Sequence, residues 1–168
     1  MSRRLALLAI ALLSLGAVAA AYFTQHTWGM QPCPWCVLQR AIFVLVAALA
    51  LLAALLPGLL QTLGLAGVVA AADAGIAAAV WQHFVAAEAE SCTLTLADRI
   101  MSGLGLDAWW PEVFMATATC AEAKVKLWGM PYEFWSGALF LLISAAATLL
   151  LVAGLRRRAP RYARARRR

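Results

Sequence analysis

The chain has 168 residues, of which 64% are hydrophobic and only 13% are charged, and its formal net charge is +6. Soluble globular domains use roughly 45–50% apolar residues, so this composition excludes an ordinary soluble domain. It favours a protein that is embedded in a lipid bilayer.

Four apolar segments are long enough to cross a bilayer as helices, which need about 20 residues each. They cover approximately residues 5–23, 36–56, 63–87 and 134–155. A span in lipid must satisfy its own backbone hydrogen bonds, and Ala and Leu dominate here, so we expect helices rather than strands. The sequence therefore predicts an all-α integral membrane four-helix bundle. It would form a single domain over residues 1–168, with outer loops at 24–35 and 88–133.

The first apolar segment also has features of a signal peptide. Arg3 and Arg4 precede it, and small residues lie near its end at 19–21. Its uncharged stretch, 5–23, is longer than the 7–15 residues that are usual in such peptides. We therefore expect a retained first helix.

Basic residues at the ends of the spans predict the orientation. Arg3 and Arg4 precede the first span, and a tail at 156–168 containing eight arginines follows the fourth. Lys and Arg accumulate on the cytoplasmic side, so we expect both termini in the cytoplasm and both loops outside it. The acidic balance of the 88–133 loop agrees with this orientation. The basic tail is expected to face anionic lipid, so no nucleic-acid partner is predicted.

The third span contains an intramembrane acid, Asp73, near its middle. Such residues are often functional. We interpret this one as a hydrogen-bonded packing residue, because no basic partner occurs at its depth. Gly67, Ala71, Gly75 and Ala79 recur at four-residue spacing in the same span, a pattern that lets helices approach closely.

The long outer loop is predicted to be partly helical. Leu94, Ala97, Ile100 or Met101, and Leu104 recur at helical spacing. This apolar face would either lie along the membrane surface or pack on the end of the bundle.

All four cysteines fall in the two outer loops, in a compartment that permits disulfides: Cys33, Cys36, Cys92 and Cys120. Four cysteines allow three pairings, and Cys33–Cys36 is the natural close pair, which leaves Cys92–Cys120. The latter two are too far apart in sequence to complete a zinc site with the first pair, so no metal is expected. Covalent haem attachment requires a histidine after the second cysteine, where Val37 stands.

The surroundings of Cys36 favour redox chemistry. It begins a helix, whose first turn carries partial positive charge, and Arg40 follows one turn later. Both features favour the reactive thiolate. His83 lies at a similar depth near the outer end of the third span. Taken alone, Arg40 could be an interfacial arginine that extends to the headgroups, and His83 an ordinary interfacial histidine.

Several motifs resemble the DsbB family of disulfide bond formation proteins of bacterial inner membranes. They are "PCPWC" followed by Arg40, the lone Cys92 in the second outer loop, and "WWPEVFMATATCAE" around Cys120. The resemblance implies an enzyme that reoxidises a periplasmic thiol oxidase of the DsbA type. It also implies that the electrons pass to a membrane quinone, either ubiquinone or menaquinone.

The resemblance also implies individual roles for the site residues. Cys92 would exchange with the partner's cysteine and Cys120 would be its intramolecular partner, while Cys33 and Cys36 would reoxidise that pair. Arg40 would polarise a quinone oxygen, with His83 assisting. The resemblance implies no role for Arg40 or His83 apart from the quinone.

Two other functions fit parts of the pattern. Vitamin K epoxide reductases also couple a membrane CxxC to a quinone, but the position of CxxC in the first outer loop argues against them. The other alternative is a non-catalytic membrane scaffold that is held together by two disulfides.

Overall fold

The computed structural model describes residues 2–86 and 94–165, with side chains as far as Arg156. Its helices are α1 (Arg3–Trp28), α2 (Pro34–Leu55), α3 (Gly58–Trp81), α4 (Leu96–Leu104), α5 (Leu106–Trp109), α6 (Pro111–Phe114) and α7 (Tyr132–Ala165). A π-helical segment, Gln82–Ala86, continues α3, and two short antiparallel strands, β1 (Lys126–Leu127) and β2 (Met130–Pro131), precede α7.

Within the described residues, four helices are long and apolar enough to cross a membrane, as the sequence predicts. They are α1, α2, α3 with its π-helical continuation, and the Tyr132–Arg156 part of α7. The architecture is therefore an all-α membrane four-helix bundle.

The helix ends differ from the predicted ones at several points. The first helix continues beyond residue 23 to Trp28, because the chain turns only at Gly29, whose φ of 65° suits glycine. The third begins at Gly58, directly after Pro57, rather than at residue 63. The predicted 156–168 tail is helical as far as Ala165, since Arg and Ala are both good helix formers.

The packing order of the spanning helices leaves a gap between the first and the last. In the described part of the chain, α2 packs against α1 and α3, and α3 packs against α7, whereas α1 and α7 touch little. In the core, Phe43 of α2 stacks on Phe140 of α7 with ring centroids 3.8 Å apart. Gly75 of α3 lies against the Phe140 ring, which leaves no room for a side chain.

The intramembrane acid is hydrogen-bonded within the bundle. Ser144 Oγ of α7 donates to Asp73 Oδ1 of α3 at 2.6 Å. This contact supports the interpretation of Asp73 as a packing residue that links two helices.

The long outer loop contains the predicted helix, α4, which begins with a capping box between Thr95 and Asp98. Ala97 and Met101 are buried against the end of the bundle, whereas Leu96 and Leu104 are exposed. Ala97 and Met101 thus pack on the end of the bundle, which is one of the two predicted arrangements. The other arrangement, along the membrane surface, stays a prediction.

Candidate active site

The first cysteine pair is built into the start of α2. Cys33 is the N-cap residue and Pro34 follows it at the first helical position, which needs no N–H donor. The Cys33 sulfur accepts a hydrogen bond from the backbone N–H of Cys36 at 3.2 Å. The two sulfur atoms are 2.6 Å apart. The CxxC spacing therefore places one sulfur at the cap and the other one turn into the helix, side by side.

Cys120 reaches the same helix start from the second outer loop. The backbone N–H groups of Thr117 and Ala118 both donate to the carbonyl oxygen of Pro32, which ties the two outer loops together. Cys120 packs against the buried cluster that contains Cys33 and Trp35, close enough for the Cys33 thiol and the Trp35 N–H to lower the pKa of Cys120. Three sulfur atoms, those of Cys33, Cys36 and Cys120, therefore form one cluster.

Two cysteines of the cluster, Cys33 and Cys120, lie outside the spans, and their thiol pKa values are shifted in opposite directions. Hydrogen bonding with Cys120 and then with Cys36, together with burial, raises the pKa of the Cys33 thiol far above its ordinary value. The same interaction with Cys33 lowers the pKa of Cys120, and the Trp35 N–H adds to this effect. Cys33 is therefore the proton-bearing member of this pair, and Cys120 is the member that favours the thiolate.

Cys92, the fourth predicted site cysteine, lies outside the described residues. Leu94, two positions later, lines an open groove of about 630 Å³ together with Cys120, Trp35 and Trp81. This groove exposes the Cys120 side of the sulfur cluster at the end of the bundle that carries the loops.

A separate cavity of about 500 Å³ begins at Cys36 and extends between α1, α2 and α7. That volume is typical of small-molecule sites. Its apolar part contains Ala17, Phe43, Leu139 and Leu142. Its polar lining consists mainly of Thr24, Gln39, Arg40, Gln82, Tyr132, Glu133 and Ser136. The cavity thus combines an apolar body with a polar end beside a reactive sulfur.

Arg40 places a buried positive charge in this cavity. Its guanidinium donates to Gln25 Oε1 at 2.7 Å, to the Val113 carbonyl at 3.0 Å and to the Ala21 carbonyl at 3.3 Å. The residue is only 6% exposed. These three acceptors are neutral, so they fix the guanidinium in place without cancelling its charge. Such a charge can stabilise negative charge that develops on a bound molecule.

Two buried glutamines border Cys36, and the sequence interpretation did not single them out. Gln82 Nε2 donates to the Cys36 sulfur at 3.3 Å, and Gln39 Nε2 donates to Gln82 Oε1 at 2.7 Å. Ser136 donates in turn to Gln39 Oε1. The sequence does contain a signal for them: both amides lie inside apolar spans, and buried amides require hydrogen-bond partners.

His83 lies beside the cavity rather than in its lining. Its Nδ1 is 2.9 Å from Glu133 Oε1, and its ring makes edge-to-face contacts with Phe84 and Phe134. Glu133 is buried and lines both the 500 Å³ cavity and a smaller outer pocket that contains His83. The Glu133 carboxylate therefore lies between His83 and the 500 Å³ cavity.

Comparison with known proteins agrees with this geometry. The family model described as "Disulfide bond formation protein DsbB" matches residues 3–150. A protein of Cupriavidus necator named "Disulfide bond formation protein B" is 35% identical over 156 residues, which cover 90% of this chain and 91% of that protein. Namesakes from Dechloromonas aromatica and Ralstonia nicotianae are each 32% identical, and cover 82% and 89% of this chain and 86% and 92% of their own lengths.

The family model spans both cysteine-bearing outer loops, and each of these relatives covers at least 82% of the chain. Together with the four apolar helices and the sulfur cluster, they confirm the resemblance seen in the sequence. The chain belongs to the DsbB family of disulfide bond formation proteins and is a multi-pass membrane thiol oxidoreductase.

Proposed function

We propose that the protein oxidises a periplasmic dithiol protein of the DsbA type and transfers the electrons to a membrane quinone, ubiquinone or menaquinone. The observation that carries this proposal is the position of the Cys33–Cys36 pair. On one side it meets Cys120 of the outer loop, and on the other it meets a cavity with a buried guanidinium. One sulfur pair thus touches both a water-facing and a lipid-facing region.

The first half of the reaction is thiol–disulfide exchange. A thiolate of the partner attacks the Cys92–Cys120 disulfide, a new bond forms to Cys92, and the electron pair of the broken bond remains on Cys120. The partner's second thiolate then displaces Cys92. The partner ends as a disulfide, and Cys92 and Cys120 end as thiols that carry the two electrons and two protons.

The second half passes these electrons along the sulfur cluster. Cys120 packs against the buried cluster that contains Cys33, so its thiolate can attack Cys33 in the Cys33–Cys36 disulfide. A Cys120–Cys33 bond forms, and the electron pair of the broken bond remains on Cys36. Cys92 then attacks Cys120 in this mixed disulfide, which releases Cys33, restores the outer disulfide and leaves Cys33 and Cys36 reduced. The Trp35 N–H, which also lowers the pKa of Cys120, remains available to stabilise the attacking thiolate while Cys33 is in the disulfide.

The residues of the cavity fit a quinone. A bound quinone would accept two electrons and two protons. Arg40 would hold its charge against a ring oxygen, while Phe43, Leu139 and Leu142 would exclude water and line the apolar part of the site. His83 would assist from behind Glu133. The gap between α1 and α7 gives the cavity a route to lipid.

The same proposal assigns the orientation in the bacterial inner membrane. The arginine-rich tail would lie in the cytoplasm beside anionic lipid, and the sulfur cluster would face the periplasm. All three described cysteines lie at one end of the bundle, which supports this arrangement.

The test is anaerobic quinone reduction by the purified protein supplied with a reduced DsbA-type partner. We expect the Arg40→Ala variant to lose about 10- to 100-fold in rate, since hydrogen bonds to charged groups contribute roughly 1.5–3 kcal/mol. Arg99→Ala, which removes an exposed arginine of α4, is the matched control and should retain the wild-type rate. Reoxidation of the partner without any quinone reduction would refute the proposal. Unchanged partner oxidation in Cys33→Ser would favour the non-catalytic scaffold.

A further inference from the structure

We propose that Gln82 is a further catalytic residue, because its amide touches the reacting sulfur of Cys36, and that Gln39 is the positioning residue that orients this amide. The inference rests on the thiol chemistry of the proposed function. It concerns the oxidising strength of the Cys33–Cys36 pair rather than the identity of the electron acceptor.

The hydrogen bonds form a chain with one direction. Ser136 donates to Gln39 Oε1, Gln39 Nε2 donates to Gln82 Oε1, and Gln82 Nε2 donates to Cys36 Sγ. Because the Gln82 oxygen is already occupied by Gln39, the Gln82 N–H faces the sulfur. An N–H donor in this place stabilises a thiolate, which can only accept a hydrogen bond.

Burying the two amide side chains costs free energy unless their polar atoms are hydrogen-bonded. Gln39 is 4% exposed and Gln82 is 6% exposed, and both lie in predominantly apolar helices. An apolar side chain would fill either position without a desolvation penalty. Here the amides satisfy each other and direct the remaining donor of Gln82 to Cys36.

The backbone provides an independent indication. α3 changes from α-helix to π-helix at Gln82, the residue that contacts the sulfur. π-helical turns are rare and are frequently found at functional sites. The change of winding coincides with the end of the helix that faces Cys33 and Cys36.

The chemical consequence concerns the reduced state. When the Cys33–Cys36 disulfide accepts two electrons, its S–S bond breaks and the Cys36 sulfur can carry negative charge beside the Gln82 N–H. When the two electrons leave for the acceptor, the bond forms again and that charge is lost. Gln82 therefore stabilises the reduced pair and makes the disulfide a stronger oxidant, because stabilising the reduced form raises the reduction potential.

The test is a redox titration of the full-length protein in detergent, freed of quinone, in glutathione buffers at neutral pH. A Cys92→Ser, Cys120→Ser background leaves one cysteine pair, and alkylation followed by mass spectrometry measures its oxidised fraction. We expect Gln82→Met to shift the equilibrium about tenfold toward the disulfide, which corresponds to a potential about 30 mV more negative. Gln39→Met should shift it in the same direction by a smaller factor.

The matched control is Gln61→Met. Gln61 lies on the same helix at the inner end, where its amide donates to the Ala53 carbonyl, so its loss should leave the titration unchanged. If Gln82→Met does not fold, Gln82→Asn, which keeps an amide that is too short to reach, serves instead. An unchanged titration in a folded Gln82 variant, or an equal shift in Gln61→Met, would overturn the inference. Because no quinone is used, a failure of quinone reduction in the wild type would refute the proposed function alone.

Discussion

At the scale of single residues, the central feature is Cys33, which takes part in three interactions. Its sulfur caps α2, lies beside the Cys36 sulfur and interacts with Cys120. Cys33 is fully buried, so access to it passes through its two neighbours. A buried central thiol with a more exposed thiol on either side suits a relay in which each exchange is intramolecular.

The pKa of Cys120 gives a prediction about pH. Its ordinary value is 9.0, and hydrogen bonding with Cys33 lowers it, so the thiolate should persist as the pH falls below that value. In the reduced Cys92→Ser variant, the rate of Cys120 alkylation by iodoacetamide should fall to half its plateau at a pH below 9.0. Peptide mapping by mass spectrometry would separate this rate from those of the other thiols.

Cys33→Ala is the informative companion variant for this measurement. This variant removes the Cys33 thiol that stabilises the Cys120 thiolate. The half-maximal pH for Cys120 alkylation should therefore move upward, toward the ordinary pKa of a cysteine. A midpoint for Cys120 at or above the ordinary value in the reduced Cys92→Ser variant, with Cys33 present, would contradict the proposed interaction.

At the scale of helices, close packing is achieved by small residues on α3. An added Cβ at Gly75 would lie 2.5 Å from the Phe140 ring, and one at Gly64 would lie 2.7 Å from Ala53 Cβ. Neither neighbour can move freely, since Phe140 is fully buried and stacked on Phe43. The glycines therefore determine how closely α3 approaches its neighbours, which is the role of small residues in membrane bundles.

Gly75→Ala should destabilise the bundle. Overpacking of a tight core costs typically about 1–3 kcal/mol in the free energy of unfolding, and unfolding in mixed detergent micelles would measure it. Gly16→Ala is the control, since a Cβ there meets nothing within 4 Å. Equal stability of Gly75→Ala and the wild type would show that α3 and α7 are less closely packed than described.

The outer helix α4 depends on its cap. Thr95 Oγ1 accepts from the backbone N–H of Asp98, and the Asp98 carboxylate accepts from the N–H of Thr95. Thr95→Ala should cost about 0.5–2 kcal/mol of local stability, which would appear as faster amide hydrogen exchange in α4. Gly103→Ala, which meets no neighbour within 4 Å, should have the opposite effect. No change in exchange for Thr95→Ala would mean that Ala97 and Met101 alone hold the helix.

At the scale of the whole molecule, the bundle separates two environments around one sulfur cluster. The outer groove contains Cys120 and opens toward the loops, whereas the 500 Å³ cavity contains Cys36 and lies between the spanning helices. The helix order matters here because α1 and α7 pack sparsely against each other and the cavity lies between them. A more symmetric bundle would close this gap.

The proposed orientation predicts which ends are accessible in cells. After mild reduction, Cys120 should react with a membrane-impermeant maleimide in intact spheroplasts. A single cysteine introduced by Ala163→Cys into a cysteine-free chain should react only after the membrane is permeabilised. Labelling of both positions in intact spheroplasts would refute the assignment of the termini to the cytoplasm.

The sequence by itself determined the number of spans and the local arrangement of the first cysteine pair. Hydropathy acts over about 20 residues, so four membrane helices can be recognised without any knowledge of packing. The cap and the third helical position are likewise separated by a fixed distance along the chain, which places Cys33 beside Cys36. Family motifs added the expected roles of Cys120 and Arg40.

Only the tertiary structure decided which distant residues meet. The position of Cys120 at the start of α2 depends on loop hydrogen bonds to Pro32, and the contact of Gln82 with Cys36 depends on how α3 packs and winds. His83 likewise faces Glu133, a residue 50 positions away. Such contacts arise from packing and loop closure between segments far apart in the chain, and neither hydropathy nor local spacing encodes them.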